Sequence, residues 1–175
     1  MDDGAGPAAL TLPDILVPGL DLVFVGINPS IYSAVRGQYF ARPSNRFWSC
    51  LNQSGLLPEP LGPGDGPRLL EFGIGLTDIV KRATHAAAEV SPAEFAAGRE
   101  VLRQKLLDAA PAAVCFVGKL AYAHFSGRRS FPFGRQPAPI GRAAVFAMPS
   151  TSGLVNNLHA ERLRCLEEVR LALGR

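Results

Sequence analysis

The chain has 175 residues, which suits one domain, and 47% of them are hydrophobic, which is enough to form a full core. The net charge of +3 slightly favours binding to polyanions. No apolar run approaches the roughly 20 residues that a membrane helix needs. Because the N-terminus also lacks the basic-then-apolar pattern of a secretion signal, we expect a cytoplasmic, nucleoid-associated or nuclear protein rather than a secreted or membrane protein.

The predicted elements follow one another in the order of an α/β domain. Residues 1–13 show no periodic pattern and are predicted to form a flexible tail, and residues 14–175 are predicted to form a single domain. Strands are predicted where short continuous apolar runs occur, at 22–25, 76–80, 113–117 and 143–148. Helices are predicted where apolar residues recur at helical spacing, at 44–53, from 91 onward, at 121–125 and at 158–173.

This alternation of strands and helices predicts the architecture. Strands that are apolar throughout are typical of parallel sheets covered on both faces. The sequence therefore predicts a three-layer α/β/α fold with a mainly parallel central sheet. In the helix that begins at Ser91, we expect Phe95, Val101, Leu102 and Leu106 to face inward.

Two stretches rich in glycine and proline are predicted to be loops. Residues 57–68 are predicted to form a surface loop. Residues 127–142 carry four arginines and no acid, and Gly127, Pro132 and Gly134 argue against a regular element there. This second stretch is either a phosphate-contacting segment or a solvated basic loop.

The cysteine and histidine pattern gives no sign of a metal or cofactor. Cys50, Cys115 and Cys165 are odd in number, far apart and among apolar neighbours, so we expect small core residues. The chain has no Cys-x-x-Cys pair, and its three histidines show no ligand spacing. We therefore expect a protein that needs no metal and no cofactor.

Polar and aromatic residues after two predicted strands indicate one site assembled from distant segments. Asn28 follows the first strand in Gly-Ile-Asn-Pro, where the proline makes a rigid turn. A run with Tyr39 and Phe40 comes about ten residues later, and Ser152-Gly153-Leu154 follows the strand at 143–148. Because open α/β sheets keep their sites at the carboxyl ends of strands, these segments predict a single cleft.

Five blocks of the sequence together resemble the mismatch-specific uracil-DNA glycosylase and thymine-DNA glycosylase family. They recur in the family's order and cover nearly the whole chain after about residue 15. GINP alone would be a weak signal, but five ordered blocks with compatible spacing are specific. The blocks are GINPS at 26–30, FARPSNRFW at 40–48, GIGLTDIVKR at 73–82, VGK at 117–119 and MPSTSGL at 148–154.

The resemblance implies a uracil-DNA glycosylase-like fold and a monomeric DNA repair enzyme. Such an enzyme flips uracil out of the duplex, especially from G·U and possibly from G·T mispairs, and hydrolyses its N-glycosidic bond. The product is an abasic site, and the implied partner is double-stranded DNA that contains uracil or mismatches. The alternatives are a non-catalytic DNA mismatch or damage binder on the same fold and a Rossmann-like small-molecule enzyme, which lacks the expected G-x-G-x-x-G turn.

The resemblance also implies roles for residues near the pocket. Asn28 would position the attacking water, and Ile27 would offer backbone groups to the pyrimidine edge together with it. Phe40 would stack on the extruded base, with Tyr39 as the competing ring, and Ser33 lies in the segment that sets the pocket size. Residue type alone favours an Asn28 that bonds to the backbone of its own turn, and Phe40 could plug the core.

Asp78 departs from the family pattern, because many relatives carry Lys or Asn at the matching place. Other branches of the wider superfamily use an Asp there, and a carboxylate can take a proton from water or stabilise a developing sugar cation. Asp78 is therefore a second catalytic candidate beside Asn28. The alternative is that Asp78 caps a short helix through Ile79 and Val80.

The remaining candidates would contact DNA. The resemblance implies that Leu154 fills the gap left by the flipped nucleotide, in a loop shared with Ser152 and Gly153. Gly153, with Val155 or Asn156 nearby, would present backbone or amide groups to the orphaned guanine. Lys119 would meet a phosphate at a helix start. The alternatives are a Leu154 that tucks into the core and a solvated Lys119.

Overall fold

A computed structural model describes residues 9–175. Its central sheet has five strands in the order β2-β1-β3-β5-β4, of which only β4 is antiparallel to its neighbour. The strands are β1 (Leu22–Gly26), β2 (Ile74–Asp78), β3 (Ala113–Val117), β4 (Gly134–Ile140) and β5 (Ala143–Met148). The helices are α1 (Ile31–Arg36), α2 (Phe47–Gln53), α3 (Pro92–Ala109), α4 (Lys119–Ser126) and α5 (His159–Ala172), with 3₁₀ helices at Pro63–Phe72 and Ala87–Glu89.

Two hydrophobic cores cover the two faces of the sheet. Alternate residues of β1 show the division, because Phe24 packs with α2 and α5 on one face, whereas Val23 and Val25 pack with α3 and α4 on the other. All three cysteines are buried and free, as the sequence predicts. The predicted three-layer α/β/α fold with a mainly parallel sheet is therefore confirmed.

The start of the domain differs from the prediction. A tail was expected through residue 13, but Leu12 is only 2% exposed in the core and Thr11 forms a bridge with Arg82. Pro13 accepts a hydrogen bond from the Tyr39 hydroxyl. Residues 11–13 therefore belong to the packed domain, and the rest of the expected tail up to residue 8 lies outside the described residues.

Strand β2 lies two residues earlier than the predicted strand at 76–80. The glycines at 73 and 75 suggested a break, but Gly75 is within the strand. A Cβ atom there would lie 2.6 Å from the carbonyl oxygen of Ile15, which pairs with Leu76 along this edge of the sheet. The glycine thus permits a close backbone approach, and the shift makes Asp78 the last residue of the strand.

Part of the predicted basic loop is a strand. Residues 134–140 form β4, which pairs with β5 at the edge of the sheet. An edge strand tolerates Pro137 and Pro139, because the side that faces away from β5 needs no ladder hydrogen bonds. The segment predicted as a loop at 57–68 likewise contains the start of the 3₁₀ helix Pro63–Phe72.

Two details of the helices also differ from the prediction. Helix α2 begins at Phe47 and not at Ser44. The Asn45 side chain accepts a hydrogen bond from the Phe47 backbone amide at 2.9 Å. In α3, Val101 is 57% exposed although it was expected to face inward. The buried face carries Phe95, Leu102, Leu106 and Ala109, and Val101 lies about 100° from Leu102 around the helix.

Candidate active site

A cavity of about 610 Å³ opens where the parallel strands end. Asp78 and Val117 are the last residues of β2 and β3, Asn28 follows β1, and the loop 150–154 follows β5. The predicted cleft at the carboxyl edge of the sheet is therefore present. Of the residues predicted for the site, those that line the cavity are Ile27, Asn28, Ser33, Tyr39, Phe40, Asp78, Ser152, Gly153 and Leu154.

The Asn28 amide is held by a segment far away in the sequence. Its Nδ2 donates to the Arg82 carbonyl oxygen at 2.9 Å and to Thr84 Oγ1 at 2.8 Å, and Thr84 Oγ1 donates in turn to the Ala86 carbonyl oxygen. Both N–H groups are therefore occupied by acceptors, which fixes the orientation of the amide. The Asn28 Oδ1 remains as an acceptor with no donor among the described residues.

These bonds distinguish the two interpretations of Asn28. A turn-capping asparagine would bond to its own neighbouring backbone, whereas this one bonds across more than 50 residues. An amide fixed in this way presents one carbonyl oxygen in a constant direction. Such an oxygen can accept a hydrogen bond from a water and orient the lone pairs of that water.

Asp78 lies beside Asn28 on the neighbouring strand. It pairs in register with Gly26, two residues before Asn28, and is only 4% exposed. Residues 79 and 80 are not helical, so Asp78 is a strand-end residue and not a helix cap. Burial raises its pKa to about 6, although the Lys81 ammonium, 3.6 Å from Oδ2, acts in the opposite direction.

A charged cluster lies behind Asp78. Lys81 Nζ donates to Asp14 Oδ1 at 2.7 Å and to the Tyr39 hydroxyl at 3.0 Å. Lys105 and Thr77 also donate to Asp14, each at 2.7 Å. Burial raises the pKa of Asp14, but these donors outweigh it and the net shift is downward. Asp14 therefore stays ionised and holds Lys81 near Asp78.

Of the two predicted stacking rings, only Phe40 remains suitable. Tyr39 is 3% exposed, and its hydroxyl accepts from Lys81 and donates to the Pro13 carbonyl oxygen. The interpretation of Tyr39 as a stacking ring is wrong, because its side chain is part of the core and of the charged cluster. Phe40 is half-buried and packs on Phe47 with ring centroids 4.1 Å apart.

The backbone at Phe40 is strained to place this ring. Its φ is +51°, in the left-handed region that residues other than glycine rarely adopt. Ser33 holds the segment in place, since its Oγ accepts a hydrogen bond from the Ala41 amide at 3.1 Å. Strain of this kind is frequent at functional sites, where the surrounding structure over-determines the conformation. Ser33 thus lines the cavity and also anchors the Phe40 segment.

The loop after β5 carries Leu154 away from the core. Leu154 is 94% exposed, which rules out the alternative that it tucks into the fold. Gly153 packs closely, because a Cβ atom there would lie 2.7 Å from the Ser44 side chain. The Thr151 carbonyl oxygen accepts a hydrogen bond from the Arg46 amide at 2.8 Å. The loop is therefore fixed on one side while its leucine projects into solvent.

Three other predicted DNA contacts lie outside the cavity lining. Asn156 is exposed and its Oδ1 accepts from Arg46 at 3.3 Å, and Val155 is half-buried. Lys119 is the exposed first residue of α4, with its Nζ 5.8 Å from the centroid of the Phe131 ring. These residues stand beside the cavity and not in it.

The arginines of the basic stretch lie in different parts of the fold. Arg128 and Arg129 are exposed in the segment between the end of α4 and the start of β4. Arg142 comes after the antiparallel β4, so it lies at the edge of the sheet opposite the cavity, and its Nε donates to the Ala110 carbonyl oxygen at 2.7 Å. Arg142 is therefore not placed to share a phosphate with the cavity.

Several residues at or near the site were missed by the sequence analysis. Lys81 belongs to the GIGLTDIVKR block and Thr84 follows it, but nothing local in the sequence reveals their long-range partners. Arg162, in α5, donates hydrogen bonds to the loop that carries Leu154. In the sequence it looks like an ordinary charged residue of a helix. Arg42 and His85 also line the cavity.

Within residues 9–175, no group of three or more histidine, cysteine, aspartate or glutamate side chains is close enough to hold a metal ion. No helix of this part of the chain is long and apolar enough to span a membrane. The polar groups that line the cavity are the amides of Asn28 and Asn45, the Asp78 carboxylate, the Arg42 guanidinium, the His85 imidazole, several hydroxyls and backbone.

Comparison with known proteins agrees with the fold. The solution NMR structure of a candidate uracil DNA glycosylase from Methanosarcina acetivorans is similar, with a TM-score of 0.56 and 19% sequence identity. The match covers 91% of this chain and 97% of that one. Residues 13–174 match the family described as the uracil DNA glycosylase superfamily, a family that supports DNA glycosylase activity. The chain belongs to the uracil DNA glycosylase superfamily.

Proposed function

We propose that the protein is a monofunctional, mismatch-specific DNA glycosylase that removes uracil, preferentially opposite guanine, and leaves an abasic site. It acts on double-stranded DNA as a monomer and without a cofactor. The observation that carries the proposal is the pair of Asn28 and Asp78 at the ends of adjacent strands, in one cavity with Phe40.

The chemistry requires a water and a way to stabilise charge. As the bond between C1′ of the sugar and N1 of uracil breaks, its electron pair leaves with the base and positive charge builds on the sugar. The water oxygen then bonds to C1′ and loses a proton. The Asn28 Oδ1 accepts a hydrogen bond from this water, and the Asp78 carboxylate takes the proton and stabilises the sugar cation.

The surroundings of Asp78 suit this role. A buried carboxylate with a pKa of about 6 is mostly ionised at neutral pH and still basic enough to accept a proton. The nearby Lys81 keeps the ionised form accessible, but its distance of 3.6 Å leaves Oδ2 without a hydrogen bond among the described residues. Asp78 is therefore a carboxylate whose proton-accepting capacity is not used by the fold.

Base recognition is assigned to the other walls of the cavity. Phe47 covers one face of the Phe40 ring, and the ring lines the cavity, so its free face is available to stack on an extruded pyrimidine. Backbone groups of Ile27 and Asn28 meet the pyrimidine edge. Such stacking contributes about 1–3 kcal/mol per base but distinguishes little between pyrimidines.

Extrusion is assigned to the loop after β5. Leu154 enters the duplex and fills the gap, since a projecting apolar side chain can replace a base in the stack. Gly153 approaches the DNA backbone closely, and Val155 and Asn156 present groups to the orphaned guanine. Lys119 contacts a phosphate near the point where Leu154 enters the duplex.

The test is base release from defined duplexes. Labelled duplexes with G·U, A·U, G·T or G·C pairs are incubated with the protein in chelator, and abasic sites are then cleaved with alkali. We expect cleavage of G·U above A·U, none of G·C, and strongly reduced cleavage of G·U with the Asn28→Ala/Asp78→Asn double variant. Equal cleavage of G·U and A·U would contradict mismatch specificity. Tight binding of G·U without any abasic site would instead identify a non-catalytic mismatch binder.

A further inference from the structure

A fully buried arginine lies beneath the loop that carries Leu154. Arg162 in α5 is 0% exposed and is the largest of the fully buried side chains. Its Nε donates to the Ser150 carbonyl oxygen at 2.8 Å, and its Nη2 donates to the Val155 carbonyl oxygen at 2.7 Å. One guanidinium thus joins the two ends of the loop 150–155.

The charge of this arginine is not neutralised locally. Within the described part of the chain, no carboxylate lies within 4.0 Å of Arg162, and its Nη1 is buried without a hydrogen-bond partner. Burying a charge without a counterion is unfavourable, and an apolar side chain of similar volume would fill the same space without that penalty. Packing alone therefore does not explain an arginine at this position.

The guanidinium has a property that an apolar side chain lacks. Its planar fork donates in two directions at once, so it can bond two carbonyl groups that are five residues apart in the chain. The loop between them turns on its own hydrogen bonds, from the Leu154 amide to Ser152 Oγ and from the Val155 amide to the Ser152 carbonyl oxygen. Arg162 closes this turn from below.

We propose that Arg162 is a positioning residue that preorganises the loop 150–155, so that Leu154 stands ready to enter the duplex as a wedge. This inference rests on the proposed function. A loop ordered before binding loses less conformational entropy when it inserts, which favours extrusion of the base.

The matched control is in the same helix. Arg164 is two residues further on, half-exposed, and paired with Glu161 and Glu168. Arg162→Met removes both loop bonds, and Arg162→Lys keeps the charge but replaces the two guanidinium nitrogens that make these bonds with one nitrogen, without the planar fork. Arg164→Met removes a charge from the same helix without touching the loop.

The first measurement follows the loop without any substrate. Hydrogen exchange of the backbone amides at 154 and 155 should be faster in Arg162→Met and in Arg162→Lys than in the wild type, and unchanged in Arg164→Met. Unchanged exchange at these amides in a folded Arg162→Met would overturn the proposal. This comparison tests whether Arg162 orders the loop even if the wild type releases no uracil. An absence of uracil release would contradict the proposed function alone.

The second measurement separates positioning from general damage. Single-turnover release of uracil from a G·U duplex should fall about 10- to 100-fold in Arg162→Met, the range expected of a misplaced group, and change little on uracil in single strands. The Leu154→Ala/Arg162→Met double variant should be no worse on the duplex than the poorer single variant. Equal losses on duplex and single strand would show that Arg162 supports the fold and not the wedge.

Discussion

Gly26 and Asp78 are register partners on adjacent parallel strands, and a Cβ atom on Gly26 would lie 2.6 Å from Oδ1 of Asp78. The backbone of Gly26 does not need glycine, since its φ is not in the left-handed region. The glycine is therefore required by space, and the space is occupied by the carboxylate that we assign to catalysis.

Gly26→Ala should displace the Asp78 carboxylate. We expect a loss of about 1–3 kcal/mol in the free energy of unfolding, typical of overpacking, together with a fall in single-turnover uracil release. The control is the same substitution in an Asp78→Ala background, where the methyl group has room and the stability cost should disappear. If Gly26→Ala costs the same stability in both backgrounds, the carboxylate is not what the methyl group meets.

The rate of uracil release should depend on the ionisation of Asp78. As the proton acceptor, Asp78 must be ionised, so the single-turnover rate should rise with pH through about 6 and then level off. Lys81→Met removes the nearest cation. Because that cation lowers the pKa of Asp78, its removal should raise this pKa and move the midpoint of the profile to higher pH. A profile that is flat between pH 5 and pH 8 would contradict the assignment.

The same carboxylate should make the protein less stable at neutral pH. Its pKa is about 6 in the folded chain against 3.8 for a free aspartate, so its contribution to stability is fully present below pH 3.8 and is lost as pH rises through 6. The ionised carboxylate then costs up to about 3 kcal/mol. In urea unfolding, the stability of Asp78→Asn relative to the wild type should therefore be higher at pH 7.5 than at pH 4. An equal stability difference at the two pH values would contradict the raised pKa.

Leu154→Ala should impair extrusion without affecting the fold. Because Leu154 is 94% exposed, we expect a change of less than about 0.5 kcal/mol in the free energy of unfolding. Uracil release from G·U duplexes should weaken more than release from single strands, since only the duplex has a gap to fill. Equal losses on the two substrates would show that Leu154 is not a wedge.

The sequence was sufficient to predict the layers and the position of the cavity. Continuous apolar runs are local signals, and β1, β3 and β5 were found from them at nearly their observed bounds. Asn28 and Leu154 follow β1 and β5, so their place at the cavity followed from the strands alone.

Features that depend on tertiary contacts were not predictable. Tyr39 and Phe40 are adjacent aromatic residues, and only the positions of Lys81 and Phe47 decide which ring is buried and which lines the cavity. The pattern of glycines likewise placed β2 two residues too late, because the close approach of Ile15 to Gly75 is a long-range contact.

The hydrogen bonds that support the site were missed for the same reason. Asn28 and Thr84 are 56 residues apart, and Asp14 and Lys81 are 67 apart. Single-sequence periodicity describes neighbours within one element and carries no information on such pairs. The candidate catalytic residues could therefore be named, but not what fixes or tunes them.

The central claim is that Asn28 and Asp78 serve one water. It is tested most directly by a double-mutant cycle on single-turnover uracil release from a G·U duplex, with Asn28→Ala, Asp78→Asn and both together. Each single variant should lose about 10²–10⁴-fold with DNA binding retained, and the double variant should lose clearly less than the product of the two. Losses that multiply fully, or an Asp78→Asn variant with a near-normal rate, would contradict a shared water.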